Sequence, residues 1–391
     1  MSTVIIRPRL LAGAVTPPPS KSMAHRCLIS AALAGGESQV RNLAQSEDMS
    51  ATRRCLTALK APGDGLPLLD CGESGSTLRF LIPIALALRG GGRFTGRGRL
   101  MERPQEPYFR IFEEKGIFYQ QKDGILTIQG KLEPGDYALP GNVSSQFITG
   151  LLYALPLLPG DSAIRITTPL ESKGYVDMTL EVLAQFGIRV IPRTDGFRVP
   201  GNQTYRPTDP VVEADWSQAA FWYGAIALGS KLDIQGLNPW STQGDMAVVP
   251  AFLQLTQPGD VELDVSQCPD LVPPLAAMAA VREGTTRIVN AARLRIKESD
   301  RLASVTAALN ALGARVEEHP DSLTIHGLDR LTGGTVDCCN DHRIAMMAAV
   351  AATRCTGPVK LLGAHCVNKS YPNFWEHYRM LGGDIDVLVS G

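Results

Sequence analysis

The chain has 391 residues, of which 44% are hydrophobic, 20% charged and 6% aromatic. This is the composition of a folded globular protein too long for one core, so it favours two domains and excludes fibrous, disordered and low-complexity classes. Its 38 Lys+Arg against 39 Asp+Glu give a formal charge of −1, which argues against bulk attraction to nucleic acid or to an anionic membrane, so any anion site has to be local.

The stretch Met1 to Val15 carries Arg7 and Arg9, and no apolar run along the chain reaches the length of a bilayer span, so secretion and membrane insertion are not expected. The proline run Pro17-Pro18-Pro19 then reads as a linker. Ser20-Lys21-Ser22 comes next and opens a helical segment, Met23 to Ala34, ended by Gly35-Gly36. The unpaired first-turn N–H groups and the dipole of such a helix favour an anion, with Ser22 and Arg26 on one face. By itself the motif reads equally well as an N-cap serine with solvated basic neighbours. A glycine-rich phosphate loop of the kinase type is not matched.

A second junction, Gly72-Glu73-Ser74-Gly75-Ser76-Thr77-Leu78-Arg79, runs into the apolar Phe80 to Leu88. Gly75 lets backbone approach a ligand closely. Next come Arg99, Glu102-Arg103-Pro104, and Asn142-Val143-Ser144-Ser145-Gln146-Phe147 at a further helix start. Glu171-Ser172-Lys173-Gly174-Tyr175 lies beyond them, then a second linker with prolines, Tyr205 to Pro210. The later half holds Pro269-Asp270, Arg295-Ile296-Lys297-Glu298-Ser299-Asp300-Arg301, Asn340-Asp341-His342-Arg343 and Asn368-Lys369-Ser370-Tyr371-Pro372. From about Ser299 the helical pattern has a core face of Leu302, Val305, Leu309 and Leu312. Taken singly, each motif is equally a capped, solvated helix start.

The chain also repeats itself. Phe112 to Gly130, Leu183 to Gly201 and Leu309 to Gly327 each end a helix at a glycine (Gly116, Gly187, Gly313), continue as a hairpin and close on a glycine fourteen positions later. Weaker copies lie near Gly63, near Gly259 and at Leu381-Gly382. Six markers at intervals of roughly 65 residues predict repeated α/β units that must pack together to close a core. The eight cysteines (27, 55, 71, 268, 338, 339, 355 and 366) form neither a C-x-x-C pair nor a zinc-ligand pattern and read as free, buried thiols.

In order and over essentially the whole chain, the motifs from Pro19-Ser20-Lys21-Ser22 to Lys369-Ser370-Tyr371-Pro372 resemble those of the 5-enolpyruvylshikimate-3-phosphate synthases. The resemblance implies an α/β fold of two lobes, each with a pseudo-threefold arrangement, six βαβαββ-type repeats in all, and an active site in the cleft between lobes. The expected lobes are 1–16 with 211–391, and 17–210. It further implies that Lys21, Ser22, Arg26, Ser144, Ser145, Gln146, Ser172, Tyr175, Asp270 and Lys297 hold shikimate-3-phosphate. Lys21, Gly75, Arg103, Gln146, Arg301, Arg343 and Lys369 are expected around phosphoenolpyruvate. The catalytic groups are expected to be Asp270, which handles the 5-hydroxyl, and Glu298, which with Lys21 or Lys369 moves the C3 proton. The reading calls for no metal or organic cofactor and no nucleic-acid or membrane partner, and expects a cytoplasmic monomer.

Glu73 stands where many relatives have asparagine, Gly174 replaces a common proline, and Arg97 falls in a stretch often acidic. Glu73 is expected to point away, to pair with an arginine, or to weaken phosphoenolpyruvate binding. UDP-N-acetylglucosamine enolpyruvyl transferases share the repeated fold but usually carry a Lys-Asn motif and a loop cysteine. Here the motif is Lys21-Ser22 and Gly96 to Pro104 contains no cysteine, which favours shikimate-3-phosphate as acceptor. A catalytically silent anion-binding relative would need neither Asp270 nor Glu298.

Overall fold

The computed structural model of the protein describes residues 2–389. The chain separates into two compact units. Lys21–Val212 makes one, and the chain up to Ser20 makes the other together with everything from Glu213 onward. In the second unit the outgoing and returning segments are stitched together, Ser20 N–H donating to Glu213 O (2.7 Å) and Asp215 N–H to Pro18 O (2.9 Å).

One sheet pattern recurs. Leu68–Asp70 runs parallel to Gly91–Thr95, which pairs antiparallel with the inner strand of the hairpin Phe118–Lys122/Ile125–Gln129. Asp136–Leu139, Ser162–Ile166 and the hairpin Ile191–Arg193/Gly196–Val199 repeat it. Val261–Asp264, Thr285–Val289 and the hairpin Arg315–Glu318/Leu323–His326 repeat it again. In the fourth sheet Gly334–Asp337 is parallel to Val359–Leu362, but the inner partner of Asp384–Val389 is the N-terminal strand Ser2–Arg7. The hairpin of the last repeat is thus closed by the start of the chain. Gly116, Gly187 and Gly313 have the positive φ of helix-terminating glycines. The weak copies at Gly63 and Gly259 differ, because their helices lead into a single strand that opens the next sheet.

Each unit buries its own apolar cluster. At the middle are helices that are apolar all round, which only an interior accepts. All nine residues of Val272–Ala280 and all eleven of His342–Ala352 are buried, as are nine of the ten in Ser145–Ala154. Each begins directly after a recurring first strand and a short loop, and those loops with the first helical residues after them carry Asp270, Asn340–Arg343 and Asn142–Gln146. The fourth such loop, Cys71–Ser74, leads into Gly75–Arg89. Core burial thereby fixes where the polar loops sit. Leu302, Val305, Leu309 and Leu312 face the core as expected, on a helix that begins at Arg301 with Asp300 as N-cap.

All eight cysteines are free; seven are buried, but Cys339 is exposed, contrary to the expectation of eight buried thiols. It sits in the loop ahead of His342–Ala352, where no core surrounds it. Among the described residues no helix is long and apolar enough to cross a membrane.

Gly196 has φ +149°, and an added Cβ would fall inside the van der Waals shell of the Ile164 carbonyl on the neighbouring strand. Gly196→Ala is expected to lower the unfolding free energy by more than about 2 kcal/mol, because backbone on both sides has to move. Gly116→Ala, in the left-handed helical region at φ +67° with open space around it, is expected to cost only about 1 kcal/mol. Denaturant midpoints of the two variants check the contrast, and equal losses would refute it.

Candidate active site

In the Lys21–Val212 unit the basic groups stand at helix starts. Lys21 is the first residue of Lys21–Leu33, its Nζ 2.9 Å from Asp48 Oδ2. Arg26 is buried and spans two helices: its Nε donates to Thr179 Oγ1 (2.9 Å), Nη1 to Ser22 O (2.7 Å) and Nη2 to Tyr175 O (2.6 Å). Arg26 and the backbones of Ser22 and Tyr175 are therefore one assembly. Ser172 adjoins it with φ +55°, a left-handed conformation costly for serine. Its side chain does not cap the following helix, Lys173–Gln185. Lys173 turns instead to Asp177, 2.7 Å away.

Gly75 opens its helix, with Ser74 Oγ accepting Thr77 N–H (3.2 Å). The Arg103 guanidinium lies against it, so close that a Cβ on Gly75 would be 2.5 Å from Nη1. A helix N-terminus flanked by a guanidinium is an anion-binding arrangement. Ser144 caps Ser145–Ala154 by accepting Gln146 N–H (3.3 Å). The Gln146 side chain is held from both ends, its Oε1 accepting from Arg79 Nη1 (3.0 Å) and its Nε2 donating to Ser76 Oγ (3.0 Å). Arg79 also donates to Pro104 O (2.8 Å) and lies 4.6 Å from the Phe147 ring centroid. It therefore ties the Arg103 loop to the Gln146 helix, a tie invisible in sequence because Arg79 is 25 positions from Pro104 and 67 from Gln146. The Glu73 carboxylate lies against Gly98, in the loop that carries Arg97 and Arg99.

In the other unit the groups converge on Asp270. Its Oδ1 accepts from Arg301 Nη1 (2.7 Å) and Lys297 Nζ (3.3 Å), and its Oδ2 from Arg343 Nη2 (3.2 Å). Arg343 Nη1 reaches the Asp270 carbonyl oxygen as well (3.0 Å). Arg301, 1% exposed, also binds Glu298 Oε2 through Nη2 (2.6 Å) and Asp341 Oδ2 through Nε (2.8 Å). Burial works against its charge, but Asp341, Glu298 and Asp270 outweigh that and hold its pKa above the ordinary value. Asp341 caps His342–Ala352 by accepting Arg343 N–H (3.0 Å), and it accepts from Ser299 Oγ (3.1 Å).

Lys369 Nζ donates to Asn340 O (2.6 Å). That carbonyl belongs to a pair of left-handed residues, Cys339 (φ +49°) and Asn340 (φ +50°), a strained corner just ahead of Arg343. Two further titrations are displaced. Burial pushes Lys297 down to about 8, with Asp270 opposing and Arg301 assisting. Burial and the nearby Asp270 push Asp245 up to about 6, against Arg343 and a hydrogen bond with Ser217. The Ser217 hydroxyl accepts from Arg343 Nη2 (2.7 Å). Neither Asp245 nor Ser217 stands out in the sequence, since no motif spacing marks them.

The structure thus collects Lys21, Ser22, Arg26, Ser172 and Tyr175 around one pair of helices, and Gly75, Arg103, Ser144, Ser145 and Gln146 around two neighbouring helix starts. Asp270, Lys297, Glu298, Arg301 and Arg343 form one hydrogen-bonded cluster, with Lys369 attached through Asn340. Among the described residues no group of three or more His, Cys, Asp or Glu is placed to hold a metal.

The fold and these clusters define a repeat-built α/β protein that presents cations at buried helix starts and three carboxylates sharing one guanidinium. The family model for EPSP synthase (3-phosphoshikimate 1-carboxyvinyltransferase) matches residues 6–378, and the chain belongs to that family. It is 48% identical to the 3-phosphoshikimate 1-carboxyvinyltransferase of Clostridium kluyveri and 45% identical to that of Clostridium beijerinckii, covering 99% of this chain and 99% of the relative in each case. The solved EPSP synthase of Acinetobacter baumannii superposes with a TM-score of 0.81 at 25% identity over the full length of both chains.

Amine acylation of Lys297, read out by peptide mass spectrometry from about pH 6 to 11, is expected to have its midpoint near 8. A midpoint near 10 would show that the burial is relieved in solution.

Proposed function

We propose that this chain transfers the enolpyruvyl group of phosphoenolpyruvate to the 5-hydroxyl of shikimate-3-phosphate, releasing phosphate through a tetrahedral ketal. The observation that carries this reading is Asp270 and Glu298 bound to the same buried Arg301, with Lys297 and Arg343 on Asp270, in a chain of this family. Both substrates carry phosphate and carboxylate groups, and guanidinium groups bind such oxygens in bidentate fashion.

In the first step the 5-oxygen bonds to C2 and gives its proton to Asp270, while C3 gains a proton from Glu298 acting with Lys21 or Lys369. In the second, C3 returns a proton, the C2–C3 double bond re-forms and phosphate leaves with the electrons of the C2–O bond. Asp270 suits the first role because Lys297, Arg301 and Arg343 fix the orientation of its carboxylate. Shikimate-3-phosphate is held by Lys21, Ser22, Arg26, Ser144, Ser145, Gln146, Ser172, Tyr175, Asp270 and Lys297. Phosphoenolpyruvate is held by Lys21, Gly75, Arg103, Gln146, Arg301, Arg343 and Lys369. Arg26 contributes to the first set chiefly by fixing the Ser22 and Tyr175 backbones, the acceptors it already binds. The same reading makes the protein a cytoplasmic monomer that acts on two small anions, without nucleic acid, membrane or cofactor.

Phosphate release is expected only when both substrates are present, and a chelator should leave it unchanged. Equal turnover with UDP-N-acetylglucosamine as acceptor would overturn the assignment. Gly75→Ala places its Cβ 2.5 Å from Arg103 Nη1 and so displaces that guanidinium. It should raise KM for phosphoenolpyruvate by roughly 10- to 100-fold, the worth of about one charge-assisted hydrogen bond, while calorimetric affinity for shikimate-3-phosphate stays near wild type. Equal weakening of both ligands would remove Arg103 from the phosphoenolpyruvate set.

A further inference from the structure

Lys21 occupies an unfavourable place for an ammonium. It begins its helix, where the dipole repels positive charge, with no acidic residue in its own first turn and with Arg26 one turn further on. Asp48 supplies compensation from another helix. Its Oδ2 is 2.9 Å from Lys21 Nζ, and the two side chains are only 18% and 10% exposed. Asp48 itself lies in the first turn of Glu47–Lys60, where a carboxylate is favoured, on a helix capped by Ser46, which accepts Met49 N–H (3.3 Å).

Behind Asp48 runs a buried line of polar groups. Thr52 Oγ1 donates to the Asp48 carbonyl (3.1 Å), and lies 2.8 Å from His25 Nδ1 and 2.7 Å from Thr77 Oγ1. Thr77 Oγ1 donates to Ser74 Oγ (2.8 Å), the cap of the Gly75 helix. His25 sits one turn beyond Lys21. Burial, with Lys21 and Arg26 nearby, pushes its pKa well below the ordinary value, so it serves this line as a neutral ring. Such a line has few alternative satisfied arrangements, since each buried group left unpaired would cost free energy. It locks the helices starting at Lys21, Glu47 and Gly75 in depth, and Asp48 is the member that faces Lys21.

We propose that Asp48 is a positioning residue for the transfer reaction, acting through Lys21: its carboxylate fixes the ammonium at one end of a buried hydrogen-bonded line whose other end is the cap of the Gly75 helix, where the anionic groups of phosphoenolpyruvate bind. This rests on the function proposed above. If Asp48 merely braced two helices, its removal would act on stability and independently of Lys21.

A double-mutant cycle on the full chain separates the two. Asp48→Asn is expected to lower kcat/KM for phosphoenolpyruvate on the order of 10²-fold, the scale of a misplaced group, with cooperative melting retained. In a Lys21→Met background the same change should cost nothing further, and Asp48→Glu should recover part of the loss. Losses that multiply in the double variant, or a wild-type kcat/KM for Asp48→Asn, would overturn the proposal. If Asp48→Asn does not fold, Asp48→Ser enters the cycle in its place under the same criteria. Wild-type protein inactive with both substrates would instead refute the proposed function. The cycle is then read on calorimetric Kd for phosphoenolpyruvate, where absence of coupling between positions 21 and 48 overturns the Asp48 proposal by itself.

Discussion

A guanidinium taken almost wholly out of water has to bring its counter-charges with it, and Arg301 does so three times over. Asp270, Glu298 and Asp341 come from three separate stretches of chain, and each occupies a different edge of that one group. Leaving any of these charges buried without its partner is expensive, far more so than the net worth of the pair. The positions of the Asp270 turn, the Glu298 segment and the start of His342–Ala352 are therefore set by one requirement. The site is rigid for the same reason that it is folded.

Burial of apolar helices supplies the other half of that rigidity. Val272–Ala280 and His342–Ala352 have no polar face to turn toward water, so their first residues cannot shift without opening the core. Ser145–Ala154 does the same service in the other unit. The loop after each of these recurring first strands is thus clamped between a sheet and a buried helix. Loops in general are where chains tolerate variation; these have lost that freedom, and the strained Cys339–Asn340 corner persists because its surroundings leave no alternative.

The repeats were legible because a helix that must stop and reverse into a hairpin needs a left-handed residue, and Gly116, Gly187 and Gly313 supply it at a fixed interval from the closing glycine. Near Gly63 and Gly259 the copies were weaker because the helices end earlier, at Lys60 and Leu255, and the chain goes straight into a new sheet without a hairpin. Helix starts bearing Lys21, Gly75, Ser144 and Arg301 were legible for a similar local reason, the coincidence of cap residues with the onset of an apolar pattern. The ties between them were hidden. Arg79 to Gln146, Arg343 to Ser217 and Thr52 to His25 are contacts whose spacing comes from tertiary packing alone, so nothing in local periodicity marks them. Arg26 was recognisable as a basic residue at a helix start, yet its engagement with Thr179 and Tyr175, about 150 residues away, has no local signature.

The titrations around Asp270 show what this arrangement costs. Asp245, whose pKa rises to about 6, and Lys297, whose pKa falls to about 8, are both predominantly charged at neutral pH, against the preference of their surroundings. For a carboxyl with a raised folded-state pKa, stability is lost as pH rises from its unfolded value through the folded one. For an amine with a lowered pKa, stability is lost as pH falls from its unfolded value through about 8. The two losses overlap between about pH 6 and 8, so near neutrality both groups draw on the stability of the fold. A structure selected for stability alone would bury neither. Under the function proposed above their retention is intelligible: an anion at Lys297 favours the charged lysine, and an anion at Arg343 competes with Asp270 for that guanidinium. In that reading the Asp270 carboxylate, which holds Arg343 in place, is the group that takes the 5-hydroxyl proton. The acid–arginine pairs are then the counter-ions that substrate anions replace, and binding is an exchange within a cluster that never becomes strongly charged.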